Sequence, residues 1–126
     1  MRDDRDQAES RHDPEHALVD LAVESWRFQK LFMRAVNKLD AGELPRYASQ
    51  HRYFVKRIDE CMARAGLTIV NLEGQAYDPG AAVTALNIGD FGPEDELVVD
   101  HMIEPVVMKA NGLLRPGTVM LRKADQ

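Results

Sequence analysis

Four histidines, one cysteine and a cluster of carboxylates are the side chains of this chain best suited to chemistry. His12 and His16 stand four apart beside Asp13 and Glu15, a spacing that can set two metal ligands on one helical face. His12 precedes the expected helix start, and no third or fourth ligand accompanies the pair. A solvated helix start is the expected reading, with no metal. His51 falls on an apolar helical stripe and reads as a core or interface histidine. His101 beside Asp100 reads as a surface pair within a strand. Asp90, Glu94, Asp95 and Glu96 crowd a turn region but lack the alternating ligands of a calcium loop. Cys61 has no second cysteine to join, and its place on an apolar stripe predicts a buried packing thiol. The glycines form neither a Walker-type nor a dinucleotide-binding loop, and no Ser or Cys stands in a nucleophile context. Neither an enzyme nor a cofactor is expected.

The bulk properties agree with a protein that works through its surfaces. A chain of 126 residues, 44% of them apolar, supports one domain, or a helical part and a small β part sharing limited core. A net charge of −5 argues against nucleic acid or an anionic membrane as the main partner. No apolar run reaches the roughly 18 residues of a membrane span, and no secretory leader is recognisable, so the cytoplasm is the default compartment.

The elements that must position these residues follow from periodicity. Residues 1–13 are polar and charge-mixed, and read as a mobile tail. Asp13-Pro14-Glu15 is a helix start: Asp caps, Pro suits the first turn, and Glu favours the positive end of the dipole. Leu18, Leu21, Phe28, Phe32, Ala35 and Leu39 then recur in threes and fours, a heptad seam interrupted only by Ser25. A second stripe, Val19, Val23, Trp26, Met33 and Val36, runs alongside. Two stripes predict two contacts, one with the neighbouring helix and one with a twin. Gly42 is the expected stop, which gives a helix of about 40 Å from Pro14 to Ala41.

Pro45 restarts the chain, and Tyr47, His51, Phe54, Ile58, Cys61 and Ala65 repeat the alternation up to Gly66. A hairpin this short cannot bury both stripes alone. Residues 14–66 therefore predict a helical hairpin that pairs into a dimeric four-helix bundle or short coiled coil, with Leu18, Leu21, Phe28, Phe32, Ala35, Leu39, Phe54 and Ile58 at the interface. The other solution is a monomer whose β part covers the second stripe.

Residues 67–126 change to a β pattern, making the fold class α+β. Strands are expected at 67–70, 82–88, 96–103, 106–108 and 118–122, with Pro105 at a bend or edge. Asp78-Pro79-Gly80, residues 89–93, Asn111-Gly112 and Pro116-Gly117 supply the turns.

The run from Ile58 through Gly66-Leu67-Thr68-Ile69 to Tyr77-Asp78-Pro79 resembles a segment of the GrpE family, where a helix end leads into Gly-Val-x-x-Ile and then Phe-Asp-Pro. Leu113-Leu114-Arg115-Pro116-Gly117-Thr118-Val119 is similar to that family's Val-Leu-Arg-Pro-Ala-Met-Val. The resemblance spans roughly residues 50–123. It implies a dimeric nucleotide exchange factor that offers a small β domain to the nucleotide-binding domain of an Hsp70 chaperone and wedges ADP out. Pro79, Ile103, Pro105, Arg115, Met120 and Leu121 are then the candidate partner contacts. The departures are specific: Ala82-Val83-Thr84-Ala85 replaces His-Glu-Ala-Val, and Pro105-Val106-Val107 replaces Lys-Gly-Tyr. Ala110-Asn111-Gly112 aligns with Asn-Gly-Arg, so the family's Hsp70-contacting arginine has no counterpart. Three readings stand open: an exchange factor for an Hsp70-like ATPase, a dimeric adaptor of the same fold without exchange activity, and an unrelated helical-hairpin interaction domain.

Overall fold

The computed structural model describes residues 13–125, so all of the expected tail but Asp13, with His12, lies outside the described residues. Two helices are followed by a small all-β region, an α+β chain that divides into two compact units between Ala65 and Gly66.

Helix α1 spans Pro14–Val36. Asp13 caps it: its Oδ1 accepts the Glu15 N–H at 3.0 Å, with Pro14 in the first turn. The helix stops six residues short of Gly42. Asp40, whose Oδ1 accepts the N–H groups of both Gly42 and Glu43 at 3.0 Å, folds the connection into a side-chain-capped turn instead. At 23 residues α1 is about 35 Å long, and Leu39 lies beyond its end. Helix α2 spans Leu44–Arg64, with Pro45 in its first turn. Gly66 follows the Ala65 cap at φ 76°, a left-handed position that favours glycine, and so ends the helix.

The helices pack on each other. On α1 Val19, Val23 and Val36 of the second stripe are buried, with Ala22 beside them, whereas Trp26 and Met33 of that stripe are half-buried. On α2 the burial is centred on Met62, with Ala48, Val55 and Ile58 half-buried. That phase turns Cys61 to solvent, so the packing-thiol expectation is corrected.

The β unit holds two three-stranded sheets. The first orders β1 (Leu67–Val70), β4 (Val106–Lys109) and β5 (Gly112–Arg115), all antiparallel. The second orders β2 (Val83–Ala85), β6 (Gly117–Lys123) and β3 (Leu97–Glu104), with β2 parallel and β3 antiparallel to the central β6. Leu67, Val99, Met102, Val106, Val107, Val119 and Leu121 form the core. Of the bend or edge expected of it, Pro105 takes the bend: it is buried between β3 and β4, where the chain leaves one sheet for the other. Its missing N–H suits a point where one ladder ends and the next begins.

Candidate functional site

The outer face of the hairpin is apolar and uncovered. Leu21, Phe28 and Tyr53 are 60%, 61% and 63% exposed, with Leu31 and Phe54 exposed beside them. Leu18, Phe32 and Ile58 of the seam are half-buried, whereas Ala35 is exposed. Scattered surface apolar residues are ordinary, but here four aromatic side chains, Phe28, Phe32, Tyr53 and Phe54, line one hollow.

The patch has a concave centre. A cavity of about 290 Å³ lies between the helices, with Phe28, Phe32, Tyr53 and Phe54 forming its apolar walls. Gln29, Gln50, His51 and Arg57 supply its polar atoms. The rings of Phe28 and Phe32 lie nearly parallel with centroids 6.4 Å apart, one helical turn along α1. The His51 ring continues the series from α2, 6.3 Å from Phe32 and tilted by 15°. Its Nε2 lies 2.6 Å from Gln29 Oε1, which fixes the proton on Nε2 when the amide oxygen faces the ring. Partial burial, then the positive charges of Arg52 and Lys30, hold the imidazole below its ordinary pKa, so it is neutral at neutral pH.

The second surface lies on the β unit. Residues opposed across an antiparallel ladder share a face. Met120 opposes His101 and Thr118 opposes Glu104, on the side away from the buried Val119 and Leu121. Glu104 ties this face together: Oε2 accepts Arg115 Nη2 at 3.4 Å and Oε1 accepts the Thr118 hydroxyl at 3.3 Å. Asp100 holds His101 Nδ1 at 3.1 Å and Arg122 Nε at 3.4 Å. Met120 is thus a half-buried apolar group among ion pairs.

Of the expected partner contacts, Arg115 is tied through Glu104 to Thr118, and Met120 lies two residues beyond Thr118 on β6. Ile103 is half-buried in β3. Pro79 sits exposed in the long loop, after Asp78, which accepts the Gly80 N–H at 2.9 Å. Pro105 and Leu121 are corrected: both are in the core and offer no surface to a partner. Glu104 went unrecognised in the sequence, because a lone acid before a proline carries no local signal of a partner eleven residues on.

His16 pairs loosely with Asp20 at 3.8 Å, and among the described residues no group of three His, Cys, Asp or Glu could hold a metal. Among the described residues no helix is long and apolar enough to cross a membrane. Comparison with protein-family models, curated proteins and solved structures finds no match.

Proposed function

We propose that this chain is a GrpE-like co-chaperone of the cytoplasm. Two copies join through the hairpin face, and the β unit promotes ADP release from an Hsp70-like ATPase by binding its nucleotide-binding domain. One observation carries the reading: an uncovered aromatic hairpin face is followed, from Gly66, by a compact β unit with a half-buried sheet face of its own. The segments that resemble the family fall on α2, β1, β5 and β6 and on the loop after β1. That loop is anchored rather than loose. Gly74 and Tyr77 donate to the Val99 and Leu97 carbonyls at 2.9 Å, and Glu73 Oε2 accepts the Met102 N–H at 2.8 Å.

Such a protein needs no active site. It acts by binding the open, nucleotide-poor conformer of the ATPase more tightly than the closed one. Reciprocity then requires that nucleotide weaken the complex, so ATP dissolves it. Met120, Ile103 and Arg115 are the proposed contacts, with Pro79 on the same unit.

Gly112 favours a second reading. It opens β5 where the family carries its contact arginine, so an adaptor that binds the ATPase without exchanging its nucleotide is the alternative. Immobilised Hsp70-type ATPase, nucleotide-free and then ATP-loaded, separates the two. An exchange factor binds the first and is released by ATP. Binding indifferent to ATP favours the adaptor, and no binding in either state contradicts both.

A further inference from the structure

Glu104 and Arg115 hold matching places in the β unit. Each is the last residue of its strand and stands before a proline, Pro105 or Pro116. Each proline marks a crossing between the two sheets, from β3 into β4 and from β5 into β6. The crossings lie side by side. Glu104 opposes Thr118 across the β3–β6 ladder, and Arg115 opposes Val107 across the β4–β5 ladder. At Gly117 the backbones come so close that an added Cβ would stand 2.9 Å from the Glu104 carbonyl oxygen. We propose that Glu104 is a positioning residue of the partner surface: tethered to Thr118, it holds the Arg115 guanidinium in the orientation that meets the ATPase. This rests on the reading that the β unit binds an Hsp70-like ATPase through Arg115.

The backbone of both residues is already settled. A residue before proline is pressed into extended conformations, and both lie in ladder register. What stays variable is the side chain, and ordering the long side chain of an arginine opposes binding. Glu104 lowers that cost because it is itself held. Its Oε2 accepts Arg115 Nη2 at 3.4 Å, while its Oε1 accepts the Thr118 hydroxyl at 3.3 Å. Thr118 belongs to β6, the central strand of its sheet, and a β-branched side chain is stiff at χ1. The anchor is therefore firm.

The exposures follow the same order. The Glu104 side chain is 19% exposed and that of Arg115 is 34% exposed, so the acid stands behind and the guanidinium in front. A guanidinium carries its N–H donors in a rigid fork, so a bond to Glu104 is compatible with a further acceptor on the partner. An ion pair with one member this exposed adds little stability by itself. Orientation of Arg115, rather than stability, is the effect to measure.

Affinity of the full chain for an immobilised, nucleotide-free Hsp70-type ATPase, measured in a double-mutant cycle, tests this. Glu104→Ala is expected to weaken binding about tenfold, and by less than about twofold when Arg115 is already alanine. Wild-type affinity in Glu104→Ala would overturn the proposal. An equal loss in both backgrounds would overturn it too, since a merely structural acid acts without regard to Arg115. Thr118→Val, which removes the hydroxyl and keeps the branched shape, is expected to weaken binding in the same Arg115-dependent way. Unchanged affinity in that variant contradicts the tether, and it carries the test alone if Glu104→Ala loses the dispersed amide signals of a folded β unit. Failure of the underlying reading looks different. The wild-type chain then binds the ATPase in neither nucleotide state, or binds equally well after Arg115→Ala, and the positioning role falls with it.

Discussion

Asn87 grips Leu121 with both ends of its amide: Nδ2 donates to the Leu121 carbonyl at 2.9 Å, and Oδ1 accepts the Leu121 N–H at 2.9 Å. Strand β2 ends at Ala85 opposite Val119, and Asn87 stands where the next rung of that parallel ladder would fall. A side chain therefore continues the sheet where the backbone has turned away. Asn87→Ala leaves two part-buried backbone groups of the central strand without this partner, and is expected to cost about 1–3 kcal/mol. Asn87→Asp keeps the acceptor, loses the donor, and sets a carboxylate against the Leu121 carbonyl, so it is also expected to destabilise. Urea titration followed through the amide signals of the β unit measures both; unchanged midpoints would deny the clamp a structural role.

Gly117 is the position where the family it resembles has alanine. Here a Cβ would stand 2.9 Å from the Glu104 carbonyl oxygen and 2.9 Å from Met102 Cε. The methionine can move, but the carbonyl belongs to the β3 backbone beside a register shift. Gly117→Ala is expected to destabilise the β unit by about 1–3 kcal/mol, read by the same urea titration. Full tolerance would mean that β3 and β6 can separate more easily than their packing indicates.

Arg115 bridges from β5 to Glu104 at 3.4 Å, and about a third of its side chain is exposed. An ion pair so placed contributes little, so Arg115→Ala is expected to lower stability by about 1 kcal/mol or less. Binding to an Hsp70-type ATPase should weaken at least tenfold if Arg115 faces it. A large stability loss with unchanged affinity would make the residue a structural strut.

Phe32 and Phe28 stack on the uncovered hairpin face. Phe32→Glu places a carboxylate on that patch and is expected to halve the mass seen by light scattering, with helical circular dichroism retained. Trp26 on α1 offers a fluorescence check that the hairpin remains folded. An unchanged mass would contradict a dimer built on this face.

Some of the architecture was readable before the structure, and the reasons differ from element to element. Asp13-Pro14-Glu15 announces α1 because its cap is local: donor and acceptor lie two residues apart. The two stripes on α1 were visible as periodicity, and burial falls on Val19, Val23 and Val36 of the second. The helix end was misread because Gly42 is a strong formal stop, whereas Asp40 acts earlier through its carboxylate. Cys61 was misplaced because heptad spacing leaves the phase of a short helix open, and tertiary contact with α1 chose Met62 instead. Strand β5 was missed because its four residues run straight from a turn into Pro116. The parallel pairing of β2 with β6 has no signature in alternation, since strand direction leaves none. The Arg115–Glu104–Thr118 group joins two strands and the end of a third, a proximity that only the folded register creates.

Release of a fluorescent ADP analogue from an Hsp70-type ATPase of the same cell, with and without the full chain, tests the central proposal most directly. A GrpE-like exchange factor raises the ADP off-rate in proportion to its concentration, and the increase falls when Met120 or Arg115 is replaced. An off-rate that stays constant at saturating, folded protein would contradict exchange activity and leave the chain a binder without it.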